Sequence, residues 1–169
     1  MSYERHNIKS VSKDLQKFVI NTPVLRFDII DSLCNCNVFF KCENFQHTGS
    51  FKYRAAVNAI KKMPVEFKQT GVITHSSGNF AHALARAAYE LKIPCHIVMP
   101  NNTPNFKKSS VLSYTKNVIE CESNLKAREF TTSEILKNKN LYFIHPSNNM
   151  DVILGNSSCA LEFVMIIQI

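Results

Sequence analysis

The sequence predicts an α/β fold, a parallel sheet with helices on both faces. Strand-like apolar runs at Gly71–His75, Cys95–Met99, Asn117–Cys121 and Leu141–His145 alternate with helical stretches. Those helices are read near Phe80–Leu91, Pro104–Ser113, Leu125–Lys137 and Asn156–Ile167. The loops between them are short, and strand, helix, strand in that rhythm is how parallel neighbours are joined. Pro104 suits the first turn of its helix, where a missing N–H is no loss. With 169 residues, 45% of them hydrophobic, the chain can bury a core and is too apolar to stay disordered.

Before residue 71 the pattern is less regular. A short helix is read over Ser10–Val19, and Thr22-Pro23 breaks it, since the residue before proline prefers extended geometry. Asn37–Cys42 reads as a strand running into Glu43–Asn58, E-N-F-Q-H-T-G-S-F-K-Y-R-A-A-V-N. Lys52 sits one residue inside a helix start there, with Ser50 expected to cap it and Ala55, Ala56, Val57 and Ala59 behind it. That helix ends near Met63-Pro64. A lysine in a first turn faces the positive end of the helix dipole. Partial desolvation then disfavours its charged form and makes the amine nucleophilic near neutral pH. Schiff-base chemistry with a carbonyl cofactor needs such an amine; a solvated helix-end lysine is the other reading of the same residues. A second stretch, T-H-S-S-G-N-F-A-H over Thr74–His82, is a turn between an apolar run and an alanine-rich helix.

Composition excludes some classes. The net charge of +7 permits an anionic ligand, but the lysines are scattered and no basic run interleaves with aromatics, so nucleic-acid binding is not expected. The six cysteines (Cys34, Cys36, Cys42, Cys95, Cys121, Cys159) lie partly in apolar runs, and C-N-C is not a zinc-knuckle spacing. Without a signal peptide, a reduced cytoplasmic protein is expected. The run V-M-I-I-Q-I is shorter than the roughly 20 residues a bilayer requires, so no membrane span is expected. His75, His82, His96 and His145 show no ligand spacing on one helix, and no metal is expected.

The two stretches together carry a resemblance. K-C-E-N-F-Q-H-T-G-S-F-K (Lys41–Lys52) and S-S-G-N (Ser76–Asn79) resemble motifs of the tryptophan-synthase-β-like, fold type II pyridoxal-phosphate enzymes. Within that group the chain is similar to the serine racemase and serine/threonine ammonia-lyase branch, from Thr22 to Glu162. The resemblance implies pyridoxal 5'-phosphate as cofactor. It implies serine racemisation, with elimination of serine or threonine to a 2-oxo acid and ammonia. Lys52 would carry the cofactor and act as acid/base on one face of the substrate, with Ser77 as proton donor on the other. Phe51 and Asn79 would flank the cofactor ring, and Ser147, in H-P-S-N, stands where relatives have asparagine. Ser76, Ser77, Asn79 and Phe80 would surround the substrate carboxylate, with Arg128 closing over it. Phe80 replaces a histidine, which leaves only a backbone donor. Taken singly, Asn79 also reads as a turn residue after glycine, Ser77 as a cap of the next helix, and Arg128 as a surface arginine.

The resemblance also implies a domain plan. Residues 1–69 form the N-terminal part of a larger domain, 70–154 a small α/β domain, and 155–169 the start of the return into the larger one, whose remainder is absent. The flanking pieces are therefore expected to lack packing partners. Only Gly49, Gly71, Gly78 and Gly155 occur, so no glycine-rich loop is available to cradle a phosphate. At the family's nucleotide-effector positions Phe27, Asp28 and His47 depart while Thr48 and Tyr114 remain, so nucleotide activation is not expected. A homodimer is expected for a full-length form. The rival readings are a truncated, non-catalytic relative that pairs with a full-length subunit, and a basic α/β binding module without cofactor.

Overall fold

A computed structural model describes residues 5–167, with side chains from Asn7 onward. Helix α1 (Arg5–Leu15) begins before the expected Ser10 and buries Val11 and Leu15. Its end is fixed by a turn in which Phe18 N–H donates to Leu15 O at 2.8 Å. Strand β1 (Val24–Arg26) pairs antiparallel with β2 (Phe39–Lys41), and α2 (Asp28–Cys34) bridges them. Only the second of these two strands was legible from the pattern. A 3-10 turn at Glu43–Phe45 and a left-handed Gly49 (φ 69°) then deliver the chain to α3 (Lys52–Lys62). Ser50 does not cap α3. Phe51, in right-handed helical geometry, holds the cap position, and Ser50 Oγ is buried with no partner among the described residues.

After α4 (Phe67–Thr70), Gly71 turns at φ 102° so close to Pro94 that a Cβ would come within 2.2 Å of the Pro94 carbonyl oxygen. The alternation read from the sequence then appears as β3 (Val72–His75), α5 (Asn79–Glu90), β4 (Cys95–Pro100), α6 (Asn105–Leu112), β5 (Asn117–Cys121), α7 (Leu125–Asn138) and β6 (Tyr142–Phe143). The strands are parallel, in the order β5-β4-β3-β6. Pro104 is the cap of α6 and not its first residue. β6 is shorter than the expected Leu141–His145. Its bonding to β3 ends with Ile144 N–H donating to Ile73 O at 2.9 Å, and Pro146 beyond has no N–H to continue. Alternate side chains serve opposite faces. Val72, Ile97 and Met99 join the core that includes α5, whereas Ile73, Val98 and Leu141 pack with Ile135 and Leu136 of α7.

The last helix, α8 (Met150–Ile167), starts before the expected Asn156, so the boundary expected between 154 and 155 falls inside it. A glycine inside a helix costs about 1 kcal/mol relative to alanine, so it needs a packing reason. Here it is a crossing point: a Cβ on Gly155 would lie 2.7 Å from Ala55 Cα and 2.8 Å from Arg54 O. Backbone-to-backbone contact with α3 leaves room only for hydrogen. Helices α1, α3 and α8 pack on one another, and α3 packs on α5. The expectation that the flanking pieces lack packing partners is thereby corrected, because they share one core with the first face of the sheet. It holds locally: Phe27, Ile29, Leu33, Phe39 and Phe40 of the β1–α2–β2 segment remain exposed, as do Met165 and Ile166 of α8.

Arg54 binds these pieces together. Its side chain is fully buried, and it donates to Glu43 at 2.8 and 2.9 Å and to Glu162 of α8 at 2.7 and 2.8 Å. Lys41 also donates to Glu162, at 2.8 Å, and Thr22 to Glu43, at 2.6 Å. Burial pushes the Glu43 carboxyl up, but the hydrogen bonds from Arg54 and Thr22 outweigh it and hold it below its ordinary value. At 18 residues α8 is long and apolar enough to cross a bilayer, so the shortness of V-M-I-I-Q-I is no argument by itself. What holds α8 to the protein is this ion cluster and the buried Val152, Gly155 and Ser158.

Candidate active site

The site is assembled at the carboxyl ends of β3 and β6, the edge where open parallel sheets place ligands. Two of its parts come from different elements. Lys52 arrives from the start of α3, and its Nζ donates to the Pro146 carbonyl, just beyond β6, at 3.5 Å. The ammonium also sits 5.1 Å from the centre of the Phe51 ring. Burial lowers the pKa of Lys52 below its ordinary 10.5, because no carboxylate is there to stabilise the charge. A long single hydrogen bond to a neutral carbonyl leaves that amine available as a nucleophile or base.

Residues Ser76–Phe80 form the other part. Ser76 is nearly buried and extends the ladder by donating its N–H to Val98 O at 2.9 Å, while its Oγ accepts from Gly78 N–H at 3.4 Å. Gly78 caps α5, and Asn79 is the first, exposed residue of the helix. The first-turn N–H groups of a helix have no internal partner and carry the positive end of the dipole, so this turn suits a carboxylate. Ser77, Gly78 and Asn79 open into a cavity of about 200 Å³ shared with Thr48 and His82. Phe80 is buried at 3% exposure and can offer only its backbone N–H. No hydrogen bond joins Lys52 to this turn among the described residues.

The remaining candidates are placed less directly. Ser147 is exposed, and its N–H donates to His145 Nδ1 at 3.2 Å. Arg128, in α7, makes no hydrogen bond to the Ser76–Phe80 turn among the described residues; its charge is felt by His75 and Cys121. Its Nε is buried with no partner among the described residues. His145 is a residue that the sequence reading passed over, having tested it only as a metal ligand. Its Nδ1 also accepts from Asn148 N–H at 2.7 Å, which holds the H-P-S-N loop and the Pro146 carbonyl facing Lys52. The signal was present in that tetrapeptide, since a ring nitrogen just before proline can close a turn onto following amides.

For pyridoxal phosphate, the residues fit at the aldehyde end, where a partly desolvated lysine amine without a carboxylate partner among the described residues stands beside an aromatic ring. The phosphate end has no glycine-rich cradle among the residues of this chain.

Comparison with known proteins shows the family. The family model described as pyridoxal-phosphate dependent enzyme matches residues 15–168. Serine racemase of Dictyostelium discoideum is 38% identical over 158 residues, covering 94% of this chain and 49% of that protein. The β-hydroxyaspartate dehydratase of Paracoccus denitrificans is 39% identical over 150 residues, covering 89% of this chain and 48% of that protein. The structure of maize serine racemase superposes with a TM-score of 0.94 at 34% identity, covering 99% of this chain and 51% of that one. The chain spans about half the length of the curated relatives it matches. On the family match across nearly all its residues, this chain belongs to the pyridoxal-phosphate dependent enzymes.

Proposed function

We propose that this chain carries the cofactor lysine and one wall of the substrate site of a serine racemase-like enzyme, which also eliminates ammonia from serine or threonine. The observation that carries the proposal is Lys52 itself: a half-buried amine of lowered pKa, beside Phe51, facing a carbonyl at the sheet's carboxyl edge. When bound, pyridoxal 5'-phosphate withdraws electrons from the substrate α-carbon so that its proton can leave. Lys52 Nζ takes up and returns that proton on one face, and the Ser77 hydroxyl serves the opposite face. The start of α5, through Ser76, Asn79 and the Phe80 N–H, holds the substrate carboxylate. Arg128 closes over it with a guanidinium suited to bidentate contact. Phe51, Asn79 and Ser147 border the cofactor. The small amino acids serine and threonine are the substrate class, and the relatives named as racemase and dehydratase support both outcomes. A cytoplasmic location is part of the same proposal, supported by six unpaired cysteines.

The test is chemical. The chain is incubated with pyridoxal phosphate, reduced with borohydride and digested, and the modified lysine is found by mass spectrometry. The expected product is a pyridoxyl group on Lys52, absent in Lys52→Ala. Modification of another lysine with Lys52 left free overturns the assignment.

A further inference from the structure

On the α7 face of the sheet, at the β3–β6 edge, lies a cavity of about 210 Å³ that none of the chemistry above uses. Side chains two apart on a strand share a face, so His75 projects to the same side of β3 as Ile73, which packs with α7. The walls of the cavity are the rings of His75, Phe143 and His145, with Glu129, Ser133 and Leu136 contributed by α7. His75 is only 3% exposed, yet its Nδ1 has no hydrogen-bond partner among the described residues. Its ring lies 5.5 Å from Phe143 and 5.4 Å, edge-on, from His145. A buried polar atom without a partner carries a desolvation cost that a bound group would relieve.

Size, shape and charge narrow the occupant. An apolar cavity of about 150 Å³ can hold benzene, so this space suits one six-membered ring with a small substituent. Leu136 and Phe143 offer that ring an apolar wall. His145 already stands edge-on to both His75 and Phe143, the packing that a further aromatic ring would join. Burial, then the charges of His145 and Arg128, hold His75 below its ordinary pKa, so its ring is neutral at pH 7. A hydroxyl satisfies either tautomer of a neutral imidazole, because it both donates and accepts. Glu129 in the wall repels an anion, which excludes a carboxylate, and the Arg128 charge felt by His75 disfavours a cation beside it.

We propose that this cavity binds a small neutral phenol, its ring against Phe143 and Leu136 and its hydroxyl on His75 Nδ1. The class is distinct from the charged amino-acid substrates proposed above, and none of the six wall residues is among those assigned to that site. Both loops of the candidate active site nevertheless leave from these walls. Ser76 follows His75 directly, and His145 Nδ1 accepts the Ser147 and Asn148 N–H groups. A bound phenol is thereby coupled to both loops. That consequence rests on the function proposed above; the binding itself does not.

The test uses the cofactor-free chain labelled with ¹⁵N at histidine, titrated with phenol and with toluene while ring-nitrogen resonances are followed. Saturable shifts at His75 and His145 are expected with phenol. Toluene has the ring without the hydroxyl and should bind about fivefold more weakly, the scale of one neutral hydrogen bond. His75→Phe keeps a ring and removes the nitrogen, so the His145 shift should then report equal binding of the two probes. Ser133→Leu, at an exposed position, should fill the cavity and abolish the shifts while the remaining histidine resonances stay in place. Absence of a saturable shift with phenol overturns the site. Equal binding of the two probes to the unsubstituted chain, or a preference for phenol that survives His75→Phe, overturns the ligand class. Shifts that survive Ser133→Leu overturn the location. Should His75→Phe fail to fold, the two probes and Ser133→Leu still decide. Because no cofactor is present, failure here leaves the trapping result at Lys52 standing, and the reverse.

Discussion

Arg54→Met tests whether the ion cluster holds the two flanking pieces together. The substitution keeps an unbranched side chain of similar reach and removes the four Arg54 hydrogen bonds to Glu43 and Glu162. Among the described residues Glu162 then keeps Lys41 as its ionic partner, and Glu43 keeps the Thr22 hydroxyl. Leaving a buried charge unpaired in this way costs about 3–5 kcal/mol, a large share of the ~5–15 kcal/mol that a whole domain has. Urea unfolding at pH 7, followed by circular dichroism, reads the loss as a lower midpoint with the slope unchanged. The pH dependence gives an independent check. In the native protein the lowered Glu43 pKa contributes stability above the ordinary 4.5, lost as pH falls through the folded value. In Arg54→Met the same carboxyl loses the donors that held it down, so its pKa rises and it is best tolerated when protonated. The gap between the two proteins should therefore narrow below about pH 4.5. A loss under ~1 kcal/mol at pH 7, or a gap that widens in acid, refutes the reasoning.

Two further outcomes follow from single distances. Gly155→Ala inserts a methyl group 2.7 Å from Ala55 Cα, and neither helix backbone can yield cheaply, so a loss of about 1–3 kcal/mol is expected in the same urea assay; an unchanged midpoint would mean that the α3–α8 crossing is looser than described. Lys52 has a pKa below 10.5 from burial, so its reaction with a small amine-selective reagent, read by mass spectrometry across pH, should reach its half-maximal rate below the ordinary 10.5 of a free lysine side chain. A profile coincident with that of free Nα-acetyl-lysine would contradict the desolvated site.

Regular alternation made the sheet legible, because in a parallel α/β unit each strand is a short apolar run and each crossover an amphipathic helix. Asn117–Cys121 and the start of β4 fell where the pattern put them. The misses have separate physical causes. Gly155 looks like a helix stop in one dimension, and only the neighbouring α3 backbone shows why glycine is needed mid-helix. Strand β1 is three residues long and carries Arg26, too short to show any period. Ser50 has the right chemistry for a cap, yet the chain enters α3 already helical at Phe51, so its hydroxyl has no free N–H to meet. For the candidate site, motif spacing pointed to Lys52 and Ser76–Asn79. Pro146 as the lysine's partner and His145 as the loop's anchor depend on the tertiary fold, 94 residues away in sequence from Lys52 in the first case.

That separation explains why the site and the core are one problem. Lys52 belongs to α3, while its carbonyl partner belongs to the loop after β6, so the gap between them is set by how closely α3 seats on α5 and the sheet. The facing material is mostly alanine: Ala55, Ala56 and Ala59 in α3, and Ala81, Ala83, Ala85, Ala87 and Ala88 in α5 are all buried. Side chains that small let helix axes approach at the lower end of the usual 8–10 Å range. On the other side Gly155 does the same for α8, so α3 is held between two close neighbours with little freedom to slide. Tyr53, the residue after Lys52, adds a polar fix by donating its hydroxyl to Glu90 at the end of α5, and burial raises its pKa far above that of an ordinary tyrosine. A larger residue in the α3–α5 contact would push the helices apart and change the distance from Lys52 Nζ to Pro146 O. The alanine-rich stretches after each motif therefore bear on the candidate site as directly as the motifs do, by fixing the distance between the lysine and the Pro146 carbonyl.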